Sequence, residues 1–562
     1  MVKRVVVIGA GSSGLTCIKT CIDEGLEPVC FECSDDIGGL WKFKESDEPN
    51  STSIYRSLVT NTSKEIMCFS DFPMPGDYPN YMHHSLLLQY FRLYAKHFDL
   101  LRYIHFQTTV RSVRQKSDFS QSGQWDVVTV NKDGKEEKHV FDAVLVCSGH
   151  YTHPNLPLAD FPGHEIFSGK CYHSCEYKDA KDLSGKRVVV VGIGNSAADI
   201  AVDISRYAEK TFLSTRGGVW VLSRLSFKGL PMDMVALTRF SSVLSRLLPK
   251  NLLNWTLERA LNNKYDHRLY SLMPKHRILE RKALVNDDLP ARILQGAVVM
   301  KTNLKEFQRL NILFEDGTVE DNIDTVIFCT GYHAKFPFLP PPLSGGPCEE
   351  LTLYKRVFPP CLEQPTLAFM GVFLQKGPIN PTVEMQARWA VKVFSGLKSL
   401  PAMEKMLTII DSDRKENMKI HPCPRDATLH VNFIPYLDFM AEEVGVRPNL
   451  LRIFLRDPVL WMKVFFGPCT PYQYRLSGPR QWEGARQAIL TQWERVVQPF
   501  KTRPIPEPRP SILFSPWLIP CGVMVLIVVI SSQRKVSTVL QGVTPFMDKC
   551  RVFLEHSWLT PS

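Results

Sequence analysis

Val5-Val6-Val7-Ile8-Gly9-Ala10-Gly11-Ser12-Ser13-Gly14 joins an apolar run to a glycine-rich turn, and a helix-like stretch follows it. That order is the signature of a dinucleotide-binding βα unit. The glycines allow a tight turn and a close backbone approach to a pyrophosphate, and the helix start offers free N–H groups and partial positive charge. The pattern recurs 183 residues later as Val188-Val189-Val190-Val191-Gly192-Ile193-Gly194-Asn195-Ser196-Ala197. Ala197 in the third glycine position is acceptable, because that site needs only a small residue for close helix–strand packing. Two such units in one chain predict two dinucleotides bound at once, one feeding electrons to the other.

The residue at the end of the second strand distinguishes the two units. Glu32 lies 23 residues after Gly9, behind the apolar run Pro28-Val29-Cys30-Phe31. A carboxylate there accepts from ribose hydroxyls and repels a 2′-phosphate, so the first unit is expected to take an unphosphorylated ribose, as in FAD or NAD. The same offset from Gly192 reaches Thr215, flanked by Ser214 and Arg216, with Arg224 close behind. Hydroxyls and guanidinium groups suit a phosphate, which predicts NADP(H) at the second unit. Together the pair reads as FAD first and NADPH second.

Composition restricts the rest. The chain has 562 residues, enough for two or three domains, with 44% hydrophobic and 22% charged residues. Its 67 basic and 57 acidic residues are scattered, so the net charge of +10 points away from nucleic acid and towards mild attraction to an anionic membrane face. Fifteen cysteines at irregular spacing read as free thiols. Cys30 and Cys33 form a CxxC around Glu32 with no second pair at ligand spacing nearby, so no metal site is expected. No secretory signal is expected either.

The predicted fold class is α/β, with two Rossmann-like domains, the NADP domain inserted into the FAD domain, and a C-terminal hydrophobic anchor. The apolar strand 143–147 ends in Ser148-Gly149-His150, and a matching strand, 324–329, ends in Thr330-Gly331-Tyr332. These brackets divide the chain into a first part of the FAD domain (1–155), an NADP domain (156–329) with a helical insertion at about 220–295, and a second FAD part (330–502). Residues 384–390 read as helix. Residues 450–466 mix apolar and basic side chains and suit either a core-facing or a membrane-surface helix. A proline-rich linker (503–510) precedes an uncharged stretch at 511–532, long enough to enter a bilayer, and then a polar tail, 533–562.

One further stretch carries a resemblance. Phe167-Ser168-Gly169-Lys170-Cys171-Tyr172-His173-Ser174-Cys175-Glu176-Tyr177 has the form Phe-x-Gly-x-x-x-His-x-x-x-Tyr, just before the second fingerprint. With Gly38-Gly39-Leu40-Trp41, Asn61-Thr62-Ser63-Lys64-Glu65, Asn286-Asp287-Asp288-Leu289-Pro290 and Gly467-Pro468-Cys469-Thr470-Pro471-Tyr472, it resembles the vertebrate flavin-containing monooxygenases, of class B. Departures include Cys175 and Cys329, the segment Pro49-Asn50-Ser51-Thr52, and the long tail.

The resemblance implies an NADPH- and O2-dependent monooxygenase that oxygenates soft N or S atoms of small lipophilic amines and sulfides through a C4a-hydroperoxyflavin. It places Asn61 beside flavin and nicotinamide as the catalytic side chain, and it adds Gly38, Gly39, Leu40 and Trp41 to the FAD site, with Tyr55 nearby. His173 has the chemistry of an acid–base catalyst, but a structural role at the domain junction is the expectation. It implies xenobiotic metabolism at the endoplasmic reticulum membrane, with the catalytic body facing the cytosol. Baeyer–Villiger oxygenation of ketones and uncoupled NADPH oxidation to H2O2 use the same two cofactor sites and stay open as alternatives.

Overall fold

The computed structural model describes residues 3–45, 54–345, 351–420 and 424–504. Residues up to Phe500 form one compact unit, and the chain from Lys501 onward forms a second. The expected linker from residue 505, the anchor and the tail lie outside the described residues. Among the described residues no helix is long and apolar enough to cross a membrane.

In chain order the elements that build the site are β1 (Arg4–Ile8), α1 (Ser12–Asp23), β2 (Glu27–Phe31), α2 (Lys64–Met67), β3 (Ile104–His105), β4 (Ala143–Val146), β5 (Lys170–His173) and β6 (Arg187–Val191). They continue with α3 (Asn195–Ile204), β7 (Lys210–Ser214), β8 (Val298–Lys301), β9 (Thr325–Phe328), β10 (Leu367–Phe369) and α4 (Asn380–Phe394). Last come α5 (Leu450–Arg456), α6 (Pro458–Phe465) and α7 (Gln492–Val497).

Two parallel five-stranded sheets result. The first has the order β10-β4-β1-β2-β3, and the second β8-β7-β6-β9-β5. Every strand of the second sheet lies in sequence between β4 and β10 of the first. The chain leaves and re-enters the first sheet side by side, since His153–Pro154 pairs antiparallel with Tyr332–His333. Uninterrupted valines make sense here: strands covered on both faces need apolar residues at every position. Val5, Val6 and Val7 are fully buried, as are Val188, Val189 and Val190. Each contributes about 1.5–3 kcal/mol of burial.

α4 packs against α1, and all its residues except Lys392 are buried. A helix covered on every side must satisfy its polar groups internally. Glu384 accepts from Arg475 at 2.8 Å, Arg475 also reaches Asp71 at 2.9 Å, and Asp71 pairs with Lys19 at 2.7 Å.

Between β7 and β8 lies the insertion. It contains helices Met232–Ala236, Arg239–Leu247, Lys250–Lys264 and Leu289–Leu294, and its base is closed by parallel pairing of Val221–Leu222 with Leu284–Val285. Residues 450–466 form two helices, because Asp457 caps α6 through the Leu460 N–H and Pro458 opens a new first turn. Leu451, Leu455 and Val459 on them are 69%, 72% and 62% exposed.

Candidate functional site

The first fingerprint forms a slot between two backbones. Gly14 packs so tightly that a Cβ there would lie 1.9 Å from the Gly9 carbonyl oxygen, which excludes any side chain. Gly11 faces Gly39 across the opening, and a Cβ on Gly11 would sit 3.6 Å from the Gly39 Cα. The Gly38 N–H donates to the Ala10 carbonyl at 3.0 Å and fastens the second loop to the first. α1 begins after Gly11 with no side-chain cap and no acid in its first turn, so the N–H groups of Ser12 and Ser13 are left for an anion. Leu40 and Trp41 form the short turn beyond Gly39 and are partly buried.

Glu32 closes the far end of this slot. Its buried carboxylate accepts from the Ala10 N–H at 2.6 Å, from the Ser34 N–H at 2.9 Å and from the Ser34 hydroxyl at 2.8 Å. These donors aim the carboxylate without neutralising it, so it can still accept from a diol. Cys30 is buried in the core, while the Cys33 thiol donates to Glu32 at 3.5 Å.

The second fingerprint repeats the turn with a more open helix start. A Cβ on Gly192 would lie 2.6 Å from the Cys329 carbonyl oxygen, whereas one on Gly194 would meet nothing within 4 Å. Ala197 is fully buried and Ser196 is exposed. The Asn195 side-chain oxygen accepts from the Val285 N–H at 3.0 Å and joins α3 to the insertion.

Two of the residues expected at the 2′-phosphate make other contacts in the structure. The Ser214 hydroxyl is buried, donates to the Thr302 carbonyl at 2.8 Å and accepts from the Leu304 N–H at 3.0 Å. It is spent on joining β7 to the strand that follows β8. The Arg224 guanidinium reaches across to the first domain and donates to the Asn61 side-chain oxygen at 2.6 Å, and it pairs within the insertion with Asp287 at 3.2 Å. Thr215 and Arg216 remain at the end of β7; Arg216 is exposed, and among the described residues it has no ion-pair partner.

Asn61 therefore sits where the insertion meets the first domain. A guanidinium only donates, so the amide oxygen must face Arg224, and the amide nitrogen is left as a donor with no partner among the described residues. The Ser63 N–H donates to Asp233 at 2.6 Å, and Tyr81 donates to the Arg224 carbonyl at 2.9 Å. Asn61 does not cap α2, because the cap position is Ser63 and it makes no side-chain cap bond. Below the turn, Lys64 donates to the carbonyls of Gly76 and Tyr78 at 2.6 and 2.8 Å, and burial pushes its ammonium down to about 8. Glu65 accepts from Arg495 of α7 at 2.6 Å.

A second junction lies beside the first. The Tyr55 hydroxyl and the Asn286 amide both donate to Asp199 of α3 at 2.6 Å, and burial pushes that carboxyl upward. Tyr55 is packed in the core of the second sheet although it precedes that sheet in the chain by over a hundred residues. Burial also raises Asp233. Asp199, Asp233 and Asp287 were not singled out as site residues from sequence. Asp287 and Asn286 lie in a quoted motif, whereas Asp233 carries no local signal.

His173 is almost fully buried. Its Nε2–H donates to the Gly331 carbonyl at 3.0 Å, Nδ1 accepts from the Cys175 N–H at 3.2 Å, and burial pushes it down to about 4. It is a neutral hydrogen-bonding strut between β5 and the returning chain. Tyr177, which ends the same stretch, donates to Asp203 of α3 at 2.8 Å.

Both dinucleotides fit this donor set. The first slot has a backbone gap that a Cβ would fill, free N–H groups and an aimed carboxylate. At the second, α3 begins with no side-chain cap and no acid in its first turn, a Cβ on Gly194 would meet nothing within 4 Å, and Arg216 at the end of β7 is exposed with no ion-pair partner among the described residues.

Comparisons with known proteins identify the family. The family model described as FMO-like, flavin-binding monooxygenase-like, matches residues 2–535. N-oxide-forming dimethylaniline monooxygenase 2 of Mus musculus is 52% identical over 503 residues, spanning 90% of this chain and 94% of the relative. Flavin-containing monooxygenase 5 of Mus musculus is 52% identical over 501 residues, spanning 89% and 94%. Among solved structures, S-allyl-L-cysteine S-oxygenase from Allium sativum has a TM-score of 0.62 at 25% identity, covering 89% of this chain and 99% of that one. Cyclohexanone monooxygenase from Rhodococcus sp. Phi1 bound to NADP+ shares the fold, with a TM-score of 0.57 at 17% identity over 81% of this chain and 99% of that one.

Proposed function

Since the chain belongs to the flavin-binding monooxygenase-like family, we propose that its substrates are small lipophilic amines and sulfides oxygenated at nitrogen or sulfur. The enzyme is a flavoprotein monooxygenase that uses FAD and NADPH and consumes O2. Reduced FAD supplies the oxygen-activating chemistry when it is bound.

The residues of the chain bind, orient and exclude water. The slot at Gly11 and Gly39 takes the FAD pyrophosphate, and Glu32 takes its ribose. The open start of α3 takes the NADPH pyrophosphate, with Thr215 and Arg216 at the 2′-phosphate. Asn61 presents an N–H donor, and its oxygen is pinned by a cation from the other domain. That single geometry carries the proposal: a neutral amide with one end fixed orients a ring or an oxygen without adding charge beside it. No nucleophile or acid–base pair is needed, which agrees with the neutral His173.

Incubating the purified enzyme with NADPH, a tertiary amine and a ketone, then analysing products by mass spectrometry, tests the reading. N-oxide is expected. Ester from the ketone alone, or H2O2 equal to the NADPH consumed, overturns it.

A place at the endoplasmic reticulum membrane, with the catalytic body facing the cytosol, belongs to the same proposal. It is supported by the exposed Leu451, Leu455 and Val459, interleaved with Arg452 and Arg456, which suit an anionic bilayer surface.

A further inference from the structure

The turn that carries Asn61 is anchored to its own domain on either side. The Thr60 N–H donates to the Met82 carbonyl at 2.9 Å, and the Lys64 N–H donates to the Asn80 carbonyl at 3.0 Å. Between those two bonds the insertion supplies the partners. Arg224 takes the Asn61 side-chain oxygen at 2.6 Å, and the Asp233 carboxylate takes the N–H of the fully buried Ser63 at 2.6 Å.

Arg224 and Asp233 are the two stems of one loop. The Met232 N–H donates to the Arg224 carbonyl at 2.8 Å, Leu225 bridges Pro231 antiparallel, and the Ser226 N–H donates to the Leu230 carbonyl at 2.7 Å. The Tyr81 hydroxyl of the first domain touches both stems, at 2.9 Å from the Arg224 carbonyl and 3.3 Å from Asp233. Asp233 also accepts from the Met234 N–H at 3.0 Å, which limits rotation of its carboxylate. A guanidinium only donates and a carboxylate only accepts. The loop therefore meets the turn in one register, with a cation on the Asn61 oxygen and an anion on the Ser63 N–H.

Arg224 fixes the end of the Asn61 side chain, but a side chain is only as well placed as the backbone beneath it. A buried N–H left without an acceptor is costly, so the turn would leave its present conformation to find another partner for Ser63 if Asp233 were absent. The Asn61 Cα would move with it.

We propose that Asp233 is a positioning residue for the oxygenation step, which acts through Asn61 by fixing the backbone of the turn from the insertion. This rests on the reading of Asn61 as the side chain beside flavin and nicotinamide, and it makes the loop of residues 224–233 part of the device that keeps NADPH consumption coupled to product.

The test uses the FAD-loaded full chain with a tertiary amine. Hydrogen exchange at the Ser63 amide, read by mass spectrometry, should be about tenfold or more faster in Asp233→Ala than in the parent, the loss of one hydrogen bond to a charged acceptor. Product per NADPH should fall in that variant while H2O2 rises by the same amount, with the KM for NADPH as in the parent. In the Asn61→Ala background the same change should cost no further product. Asp233→Asn keeps an oxygen for the Ser63 N–H and should restore most of the coupling, whereas Asp233→Glu keeps the charge but displaces it by one methylene and should stay uncoupled. Rates are taken per bound flavin, measured by absorbance; if Asp233→Ala fails to hold flavin, the Asn and Glu variants carry the comparison. Unchanged exchange at Ser63, losses that add to those of Asn61→Ala, or a Glu variant better coupled than the Asn variant overturn the proposal. A parent that makes no oxygenated product, yet whose Ser63 protection depends on Asp233, defeats the functional reading and leaves the Asp233–Ser63 grip standing.

Discussion

Replacing Arg224 by methionine should uncouple the enzyme, and the effect should pass through Asn61. The guanidinium contributes a 2.6 Å charge-assisted bond to the Asn61 oxygen and a 3.2 Å ion pair to Asp287. Asp287 keeps the Ser223 hydroxyl and the Arg224 N–H as donors after the change, so the largest loss falls on Asn61. A hydrogen bond to a charged group is worth about 1.5–3 kcal/mol, which corresponds to roughly 10- to 150-fold in the fraction of enzyme with a correctly turned amide. NADPH consumption should continue while oxygenated product falls and H2O2 rises. The assay is product and peroxide per NADPH in Arg224→Met, Asn61→Ala and the double variant, each corrected for bound flavin. Because one side chain acts through the other, the double variant should be little worse than Asn61→Ala, with a coupling energy of about 1.5–3 kcal/mol. Additive losses, or an Arg224→Met enzyme as tightly coupled as its parent, would refute the argument that Arg224 orients Asn61.

Two more outcomes follow from single residues. Arg216→Ala should raise the KM for NADPH about 10-fold or more and leave that for NADH unchanged, because only the former has a phosphate for the guanidinium to meet; equal effects would remove Arg216 from the site. His173 sits at about 4 in the folded protein against an ordinary value of about 6.5, so the unfolded chain takes up the proton first as pH falls. Its contribution is complete above pH 6.5 and is lost between pH 6.5 and 4, up to about 3 kcal/mol. Urea midpoints of the parent should therefore fall more steeply over that range than those of His173→Gln, and identical pH profiles would contradict the buried, neutral assignment.

How much of the site was legible depended on how local each signal is. Gly9, Gly14, Gly192 and Glu32 act through turns and through a strand end a fixed number of residues away, so spacing alone identifies them. Ser214 and Arg224 show the limit. Both have the chemistry of a phosphate ligand and both lie close to Thr215 in sequence. Ser214 faces the interior because strand alternation directs it towards Thr302 and Leu304. Arg224 is carried away by the chain that follows β7, and its partner Asn61 is 163 residues distant. Asp199 and Asp233 had no motif to announce them. Their roles come from burial and from neighbours contributed by another domain.

The one-dimensional pattern by itself determined the two βα units, the kind of ribose the first prefers and the family, because glycine turns, valine strands and an acid at a set offset are short-range requirements. Which cation holds Asn61, and which hydroxyl at the end of β7 is turned into the core, were decided only by the tertiary structure. Side-chain direction and domain contact depend on residues far apart in the chain, and Coulomb and hydrogen-bond energies depend on distance in space, not on position in sequence.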